Sequence, residues 1–377
     1  MSVESLARRL GVGARHLRRL FLRHLGATPL AVAQTRRLHF ARSLLRDTSL
    51  QMSEVALASG FSSLRRFNVT VKKTSGRTPT ELRRSSSSPH VKGLELRFSA
   101  RQPYDYPGIL AFLKTRSLSG LDSVSPQGYR RIVPGDDGLG IVDIRLSDDG
   151  LVLSLPSLNV LEIQRCTFRA RRMFDLDADP GTIAAHLGGD PLLRPLLRKH
   201  PGVRIPGSWD AFEVAIRAIV GQQISVAAAS TIMERIVARY GGLVRSDDPE
   251  LFRLFPTPEQ LSAASFHEIG LPLRRAETLR GLSRAVAEGR LKLELGPALE
   301  STVSALIEIP GIGPWTAHYI AMRAVGEPDA FPAGDLGLRK AASGSGTLLS
   351  EKALERLAES WRPWRAYAAI LLWRSLW

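Results

Sequence analysis

The sequence predicts a multi-domain, mainly α protein in three consecutive parts. These are an all-helical basic domain, a central α+β domain with an antiparallel sheet, and a larger helical domain built around a helix-hairpin-helix. Three observations carry this. Helical apolar periodicity fills residues 1–84 and returns from Asp179 onward. Short apolar alternation with Gly/Asp turns occupies the stretch between. A polar run, Arg83-Arg-Ser-Ser-Ser-Ser-Pro-His90, separates the first part from the second. The expected domains are therefore 1–84, a Ser-rich linker 85–93, 94–178 and 179–377.

Composition narrows the class. The 377 residues are 44% hydrophobic, ordinary for a globular chain long enough to bury several cores. A formal charge of +16 points to a polyanionic partner, most simply nucleic acid. Its distribution is more informative than its size. Residues 1–92 hold 18 Lys/Arg against 4 Asp/Glu, and the remainder holds 34 against 32. The lone Cys166 excludes an intramolecular disulfide, a cysteine-rich zinc site and a four-cysteine iron–sulfur cluster, and is read as a core or half-buried strand residue. No apolar run reaches membrane-spanning length. An intracellular, nucleoid-associated protein acting as a monomer, with no membrane partner, is expected.

The first domain has helix-turn-helix rhythm twice, over Val3–Phe21 and Met52–Phe67. Each segment has a short amphipathic helix, a Gly turn, and a second helix alternating apolar anchors with arginines, as a major-groove recognition helix requires. Leu17, Leu20, Leu64 and Phe67 are expected to face the core. Arg15, His16, Arg18, Ser63, Arg65, Arg66 and Asn68 are expected to face DNA. A solvated charged face is the bland alternative for any single arginine. Through Val55-Ala56, Gly60-Phe61, Phe67 and Gly76-Arg-Thr-Pro79, residues 2–84 resemble the arabinose-regulator (AraC/XylS) type of DNA-binding domain. Two departures stand out: the chain starts too late for the helix that ordinarily precedes the first unit, and Val71 replaces the usual aromatic. A truncated start and general DNA affinity are therefore expected ahead of sequence-specific operator binding.

In the central part, 94–98, 140–145 and 151–155 alternate as strands, with one helix over 106–115. Beyond it, Trp209–Ala229 is apolar-periodic but interrupted at Gly221-Gln-Gln-Ile-Ser225. That interruption is either a polar turn or a pair of side chains that enter a duplex. Further on, Val303, Leu306 and Ile307 mark a helix stopped by Pro310. Gly311 and Gly313 allow a tight hairpin, and a second helix starts near Thr316. Backbone N–H groups at such a turn and helix start suit phosphate, in any sequence. A plain helix connection is the alternative. Asp335 follows Phe331-Pro-Ala-Gly334, a position for a helix N-cap or for a carboxylate acting on a nucleotide.

With these motifs and Trp361-Arg-Pro-Trp-Arg-Ala-Tyr-Ala-Ala-Ile-Leu-Leu-Trp373, residues 94–377 resemble the DNA-3-methyladenine glycosylase II family, within the helix-hairpin-helix glycosylase superfamily. The resemblance implies a DNA repair enzyme that flips an alkylated base out of double-stranded DNA and hydrolyses its N-glycosidic bond. Asp335 would be the catalytic carboxylate, with Gln222 at the base pocket beside Trp315, Tyr319 and Trp373. Gln223 would be the duplex wedge, where the family often has an apolar residue. Gly311, Gly313 and Thr316 would grip the DNA backbone. No cofactor or metal site is implied beyond a monovalent cation at the hairpin. Segment 94–175 resembles the family's N-terminal α+β domain.

The chemistry agrees. A fixed carboxylate stabilises the oxocarbenium charge that develops on the sugar and orients or deprotonates water. Electron-rich rings favour a cationic base by roughly 0.5–2 kcal/mol per good contact, so the weakened bond itself must supply much of the selectivity. Packing is the alternative for these rings, and it is the reading for Trp361 and Trp364. In superfamily members that also cut the strand, a lysine stands two residues after the second hairpin glycine. Here Trp315 stands there, after Pro314, so no Schiff base can form at that position. A monofunctional glycosylase is expected. A transcription regulator whose glycosylase portion only binds DNA is the alternative. Excision of oxidised bases with lyase activity is disfavoured by the missing lysine. The arrangement also resembles adaptive-response proteins with a cysteine methyl acceptor, a role for which this chain has no cysteine cluster.

Overall fold

The computed structural model describes residues 2–48, 50–84, 94–135, 138–148, 150–156, 160–293, 298–344 and 346–376. The Ser-rich segment 85–93 lies outside the described residues. The first helices are α1 (Val3–Arg9), α2 (Ala14–Leu25), α3 (Pro29–Asp47), α4 (Met52–Ala58), α5 (Leu64–Ser75) and α6 (Pro79–Arg84). Then come β1 (Leu94–Ser99), α7 (Tyr106–Lys114), β2 (Asp122–Ser125), β3 (Gly128–Gly135), β4 (Gly138–Ser147), β5 (Gly150–Leu155) and α8 (Val160–Met173). The remaining helices are α9 (Pro180–Leu187), α10 (Leu193–Lys199), α11 (Ala211–Val220), α12 (Val226–Tyr240), α13 (Pro258–Ser262), α14 (Leu273–Ala287), α15 (Leu299–Ile307), α16 (Pro314–Ile320), α17 (Leu336–Ser343), α18 (Glu351–Ala358) and α19 (Arg365–Arg374). The architecture is mainly helical with a central antiparallel sheet of order β1-β5-β4-β3-β2.

The chain divides into two compact units, residues 1–99 with 133–168, and residues 100–132 with 169–377. In the first, the helix-turn-helix pairs are set by local chemistry. Ser63 accepts the Arg66 N–H at 3.3 Å to start α5, while Gly26 and Gly76 close α2 and α5 in the left-handed region. Leu17, Phe67 and Val71 are buried and Leu20 half-buried. Leu64, expected in the core, is exposed: it opens α5 directly after the cap, ahead of the buried Phe67–Val71 stripe. Gln164 donates its side-chain amide to the Leu57 and Ala58 carbonyls at the end of α4.

Strand β1 alternates, with Leu96 and Phe98 buried, whereas β5 is buried almost throughout. Cys166 is buried on α8 and is not a strand residue. Ile163, Cys166, Ala170 and Met173 recur at helical spacing, which the intervening arginines and glutamine disguised.

The second unit has two hydrophobic cores. One lies among α11, α12, α14, α15 and α16 and includes Ile216, Ile219, Met233, Leu279, Leu306, Ile312 and Ile320. Each such side chain contributes about 1.5–3 kcal/mol on burial. The other gathers α9, α10, α17, α18 and α19 around Trp361, Leu338 and Leu371. Arg131 is buried in this unit with its Nη2 2.7 Å from Glu213, which explains an arginine in the middle of β3.

Candidate active site

The hairpin joins α15 to α16. Gly311 has φ +92°, and a Cβ there would fall 2.0 Å from the Thr278 hydroxyl of α14, so both conformation and space require glycine. Gly313 is the N-cap of α16 with φ −94°, and a Cβ there would meet nothing within 4 Å. Both glycines are exposed. Thr316 is buried, and its Oγ1 accepts the Gln222 side-chain amide at 2.9 Å, so it presents only its backbone to a ligand. Gln222 Nε2 also donates to the Gly311 carbonyl at 3.0 Å. Gly311 O and Thr316 Oγ1 accept the Gln222 amide and Ile309 O accepts the Ile312 N–H, each oxygen keeping a second lone pair of the kind a monovalent cation would use.

Asp335 caps α17, accepting the Leu338 N–H on Oδ1 at 2.9 Å. The same carboxylate receives Trp373 Nε1 on Oδ1 at 2.9 Å and Trp315 Nε1 on Oδ2 at 3.1 Å. Both readings of this residue are thus compatible: the cap fixes the carboxylate, and two indoles aim it into a cavity. That cavity has a volume of about 300 Å³ and is lined by Asp335, Trp315, Tyr319 and Trp373, together with Phe112, Arg116 and Arg217. Trp315 and Tyr319 stack with centroids 5.6 Å apart at 20°, and Tyr319 meets Trp373 edge-on at 6.2 Å. Trp361 is fully buried with Nε1 2.8 Å from Asp190, and Trp364 packs on Tyr367, as packing residues should.

Not every expected residue gathers here. Gln222 does not line the cavity; it ties the turn between α11 and α12 to the hairpin. Gln223 is exposed, with φ +58°, unusual for a side chain other than glycine. Arg15, His16, Arg18, Ser63, Arg65, Arg66 and Asn68 belong to the other compact unit and are all exposed, with Arg18 paired to Glu4 at 3.2 Å.

Sequence reasoning missed the cationic wall. The Arg116 guanidinium lies 3.6 Å from the Phe112 ring centroid and that of Arg323 lies 4.2 Å from it. Arg217 Nη2 donates to the Arg116 carbonyl at 2.7 Å, and Arg323 Nη1 to the Tyr319 hydroxyl at 3.3 Å. Burial pushes the Tyr319 phenol up, but Arg323, Arg116 and Arg217 together outweigh it and hold its pKa below the ordinary tyrosine value. Burial also lowers Arg323 to about 10. Arg323 sits in a π-helical turn, Ala321–Val325, that continues α16. The only local signals were Phe112 and Arg116 four residues apart and Arg217 one turn before Gly221.

Comparison with known proteins agrees with this architecture. Residues 6–85 match a helix-turn-helix domain family, 95–210 the AlkA N-terminal domain, and 216–366 the HhH-GPD superfamily base excision DNA repair protein family. The probable bifunctional transcriptional activator/DNA repair enzyme AlkA of Mycobacterium tuberculosis is 40% identical over 99% of this chain and 77% of its own length. DNA-3-methyladenine glycosylase 2 of Escherichia coli is 34% identical over 72% of this chain and 94% of its own length. A 3-methyladenine DNA-glycosylase from Archaeoglobus fulgidus shares the fold, with a TM-score of 0.64 at 24% identity over 73% of this chain and 96% of that one. The hairpin, the capped aspartate among indoles and these matches together place the chain in the DNA-3-methyladenine glycosylase II family of helix-hairpin-helix base-excision proteins, with an AraC-type helix-turn-helix domain at its N-terminus.

Proposed function

We propose that this protein is a monofunctional glycosylase that excises alkylated bases, of the 3-methyladenine and 7-methylguanine type, from double-stranded DNA. The observation that carries the reading is the Asp335 carboxylate, oriented by Trp315, Trp373 and the Leu338 N–H at the mouth of a cavity large enough for a base. An extruded nucleotide would put its base among the rings and its sugar against Asp335. As the C1′–N bond breaks, its electron pair stays with the base and positive charge grows on the sugar. Asp335 stabilises that charge, and water adds at C1′ and gives up a proton to Asp335 or solvent. The products are free base and an abasic site. Trp315, in the position where a strand-cutting relative would need an amine, keeps the reaction from continuing.

The cationic wall sharpens the selectivity argument. Arg116 and Arg323 already cover the Phe112 ring, so that ring offers little to a cationic base. Any ring preference for the cation then falls to Trp315, Tyr319 and Trp373, and much of the discrimination rests on the lability that alkylation gives the bond. The exposed arginines of α2 and α5 supply the DNA-binding surface of the helix-turn-helix domain, which adds general DNA affinity in this reading.

Incubation with methylated duplex DNA tests the assignment. Wild type should release N3-methyladenine and N7-methylguanine, leave alkali-sensitive abasic sites, and form no borohydride-trapped adduct. Release of neither base, or equal release by Asp335→Asn, overturns it.

A further inference from the structure

The turn between α11 and α12 holds Gln223 outward in a left-handed backbone conformation that a non-glycine residue does not keep without support. Support comes from the first turn of α14. Arg275 Nη2 donates to the Gln222 carbonyl at 2.8 Å and Nη1 to the Val220 carbonyl at 3.4 Å, the two carbonyls that flank Gly221. The Gln222 side chain in turn donates to Gly311 O and Thr316 Oγ1 of the hairpin. Three residues beyond Arg275, one turn along the same helix, Thr278 occupies the space against which Gly311 closes. Helix α14 therefore braces both the turn and the hairpin, and Gln222 links the two directly.

We propose that Arg275 is a positioning residue for base extrusion. It fixes the turn to the hairpin so that the backbone grip and the inserted side chain act as one rigid body. This rests on the reading of Gln223 as the duplex wedge. When a side chain enters the stack, the duplex resists, and a turn free to relax would yield first. A guanidinium suits the task because its planar fork holds two carbonyls at once, whereas an ammonium has no such fixed fork. Arg275 does not line the cavity and touches no reacting atom, so its influence is confined to delivery of the base.

The test is single-turnover release of one alkylated base, paired in a duplex or placed in a bulge where no partner base retains it. A fluorescent base analogue beside the lesion reports extrusion. Arg275→Met should slow release from the duplex about 10-fold and reduce the extrusion signal, with release from the bulge within about 2-fold of wild type. Arg275→Lys should recover part of the duplex rate. Equal losses on both substrates, or no loss on the duplex, overturn the proposal. Should Arg275→Met not fold, the duplex-to-bulge ratio of Arg275→Lys decides in the same way. Gln223→Ala separates the two ideas. If it leaves duplex release unchanged, the wedge reading fails; if it slows release while Arg275→Met does not, only the role of Arg275 fails.

Discussion

At the scale of single residues, Asp335 combines two roles that substitution can separate. Asparagine caps a helix as well as aspartate but carries no charge. Asp335→Asn should therefore keep the cap while turning an amide donor toward the Trp315 indole N–H, so the melting temperature falls slightly and base release falls about 100-fold or more. Asp335→Ala loses the cap as well, costing about 1 kcal/mol of stability in addition. Equal stability of the two variants would show that the cap contributes nothing. A second buried carboxylate, outside the cavity, links stability to pH. Burial pushes Asp175 up to about 7 from an ordinary 3.8, although the Ile205 N–H and Tyr367 hydroxyl donate to it. Between those values the native chain keeps a proton that the unfolded chain has released. This contribution is thus whole below about pH 4 and is lost as pH rises to about 7. Melting curves of wild type should fall in midpoint from about pH 5 to about pH 7.5 more than those of Asp175→Asn. An identical decline in both would remove Asp175 as the cause.

At the scale of elements, the two hairpin glycines make opposite predictions. Gly311→Ala forces a side chain into positive φ and onto Thr278, so it should destabilise the domain by about 1–3 kcal/mol and weaken DNA binding with it. Gly313→Ala meets no strain and no neighbour, so its melting temperature should hold. If its DNA affinity nonetheless falls, the new methyl is blocking a phosphate; unchanged affinity would show that no phosphate approaches Gly313. The hairpin could be read from the sequence because proline and glycine act on their own backbone, within a few residues. The same holds for α7, β1, β4 and β5, whose alternation or caps are local. Strands β2 and β3 were not legible. Arg131 interrupts the apolar alternation of β3 and is tolerated because Glu213, 82 residues away, and Asp122 neutralise it. Arg116 and Arg217 escaped for the same reason: α7 and α11 meet at the cavity through tertiary contacts that no local pattern records.

At the scale of the whole molecule, the excess charge and the chemistry occupy different parts of the chain. Nearly all the surplus lies in residues 1–92, whereas every cavity-lining residue belongs to the other compact unit. Counterion release makes DNA affinity fall with salt by a slope of about 0.9 per phosphate neutralised, and fully exposed arginines are the groups that set it. The Arg18–Glu4 pair does not disqualify Arg18, because an exposed ion pair of this kind holds its partners only weakly and yields to a phosphate. Replacing Arg15, Arg65 and Arg66 together by alanine should flatten the plot of log affinity against log salt by about 0.9 for each phosphate that these side chains neutralise. Single-turnover base release at saturating enzyme should remain at the wild-type rate, since neither the carboxylate nor its cavity is altered. Affinity titrations at several salt concentrations, run beside the release assay, decide the matter. An unchanged slope would make these arginines a solvated face. A lost release rate would mean that the helix-turn-helix surface takes part in presenting the damaged base.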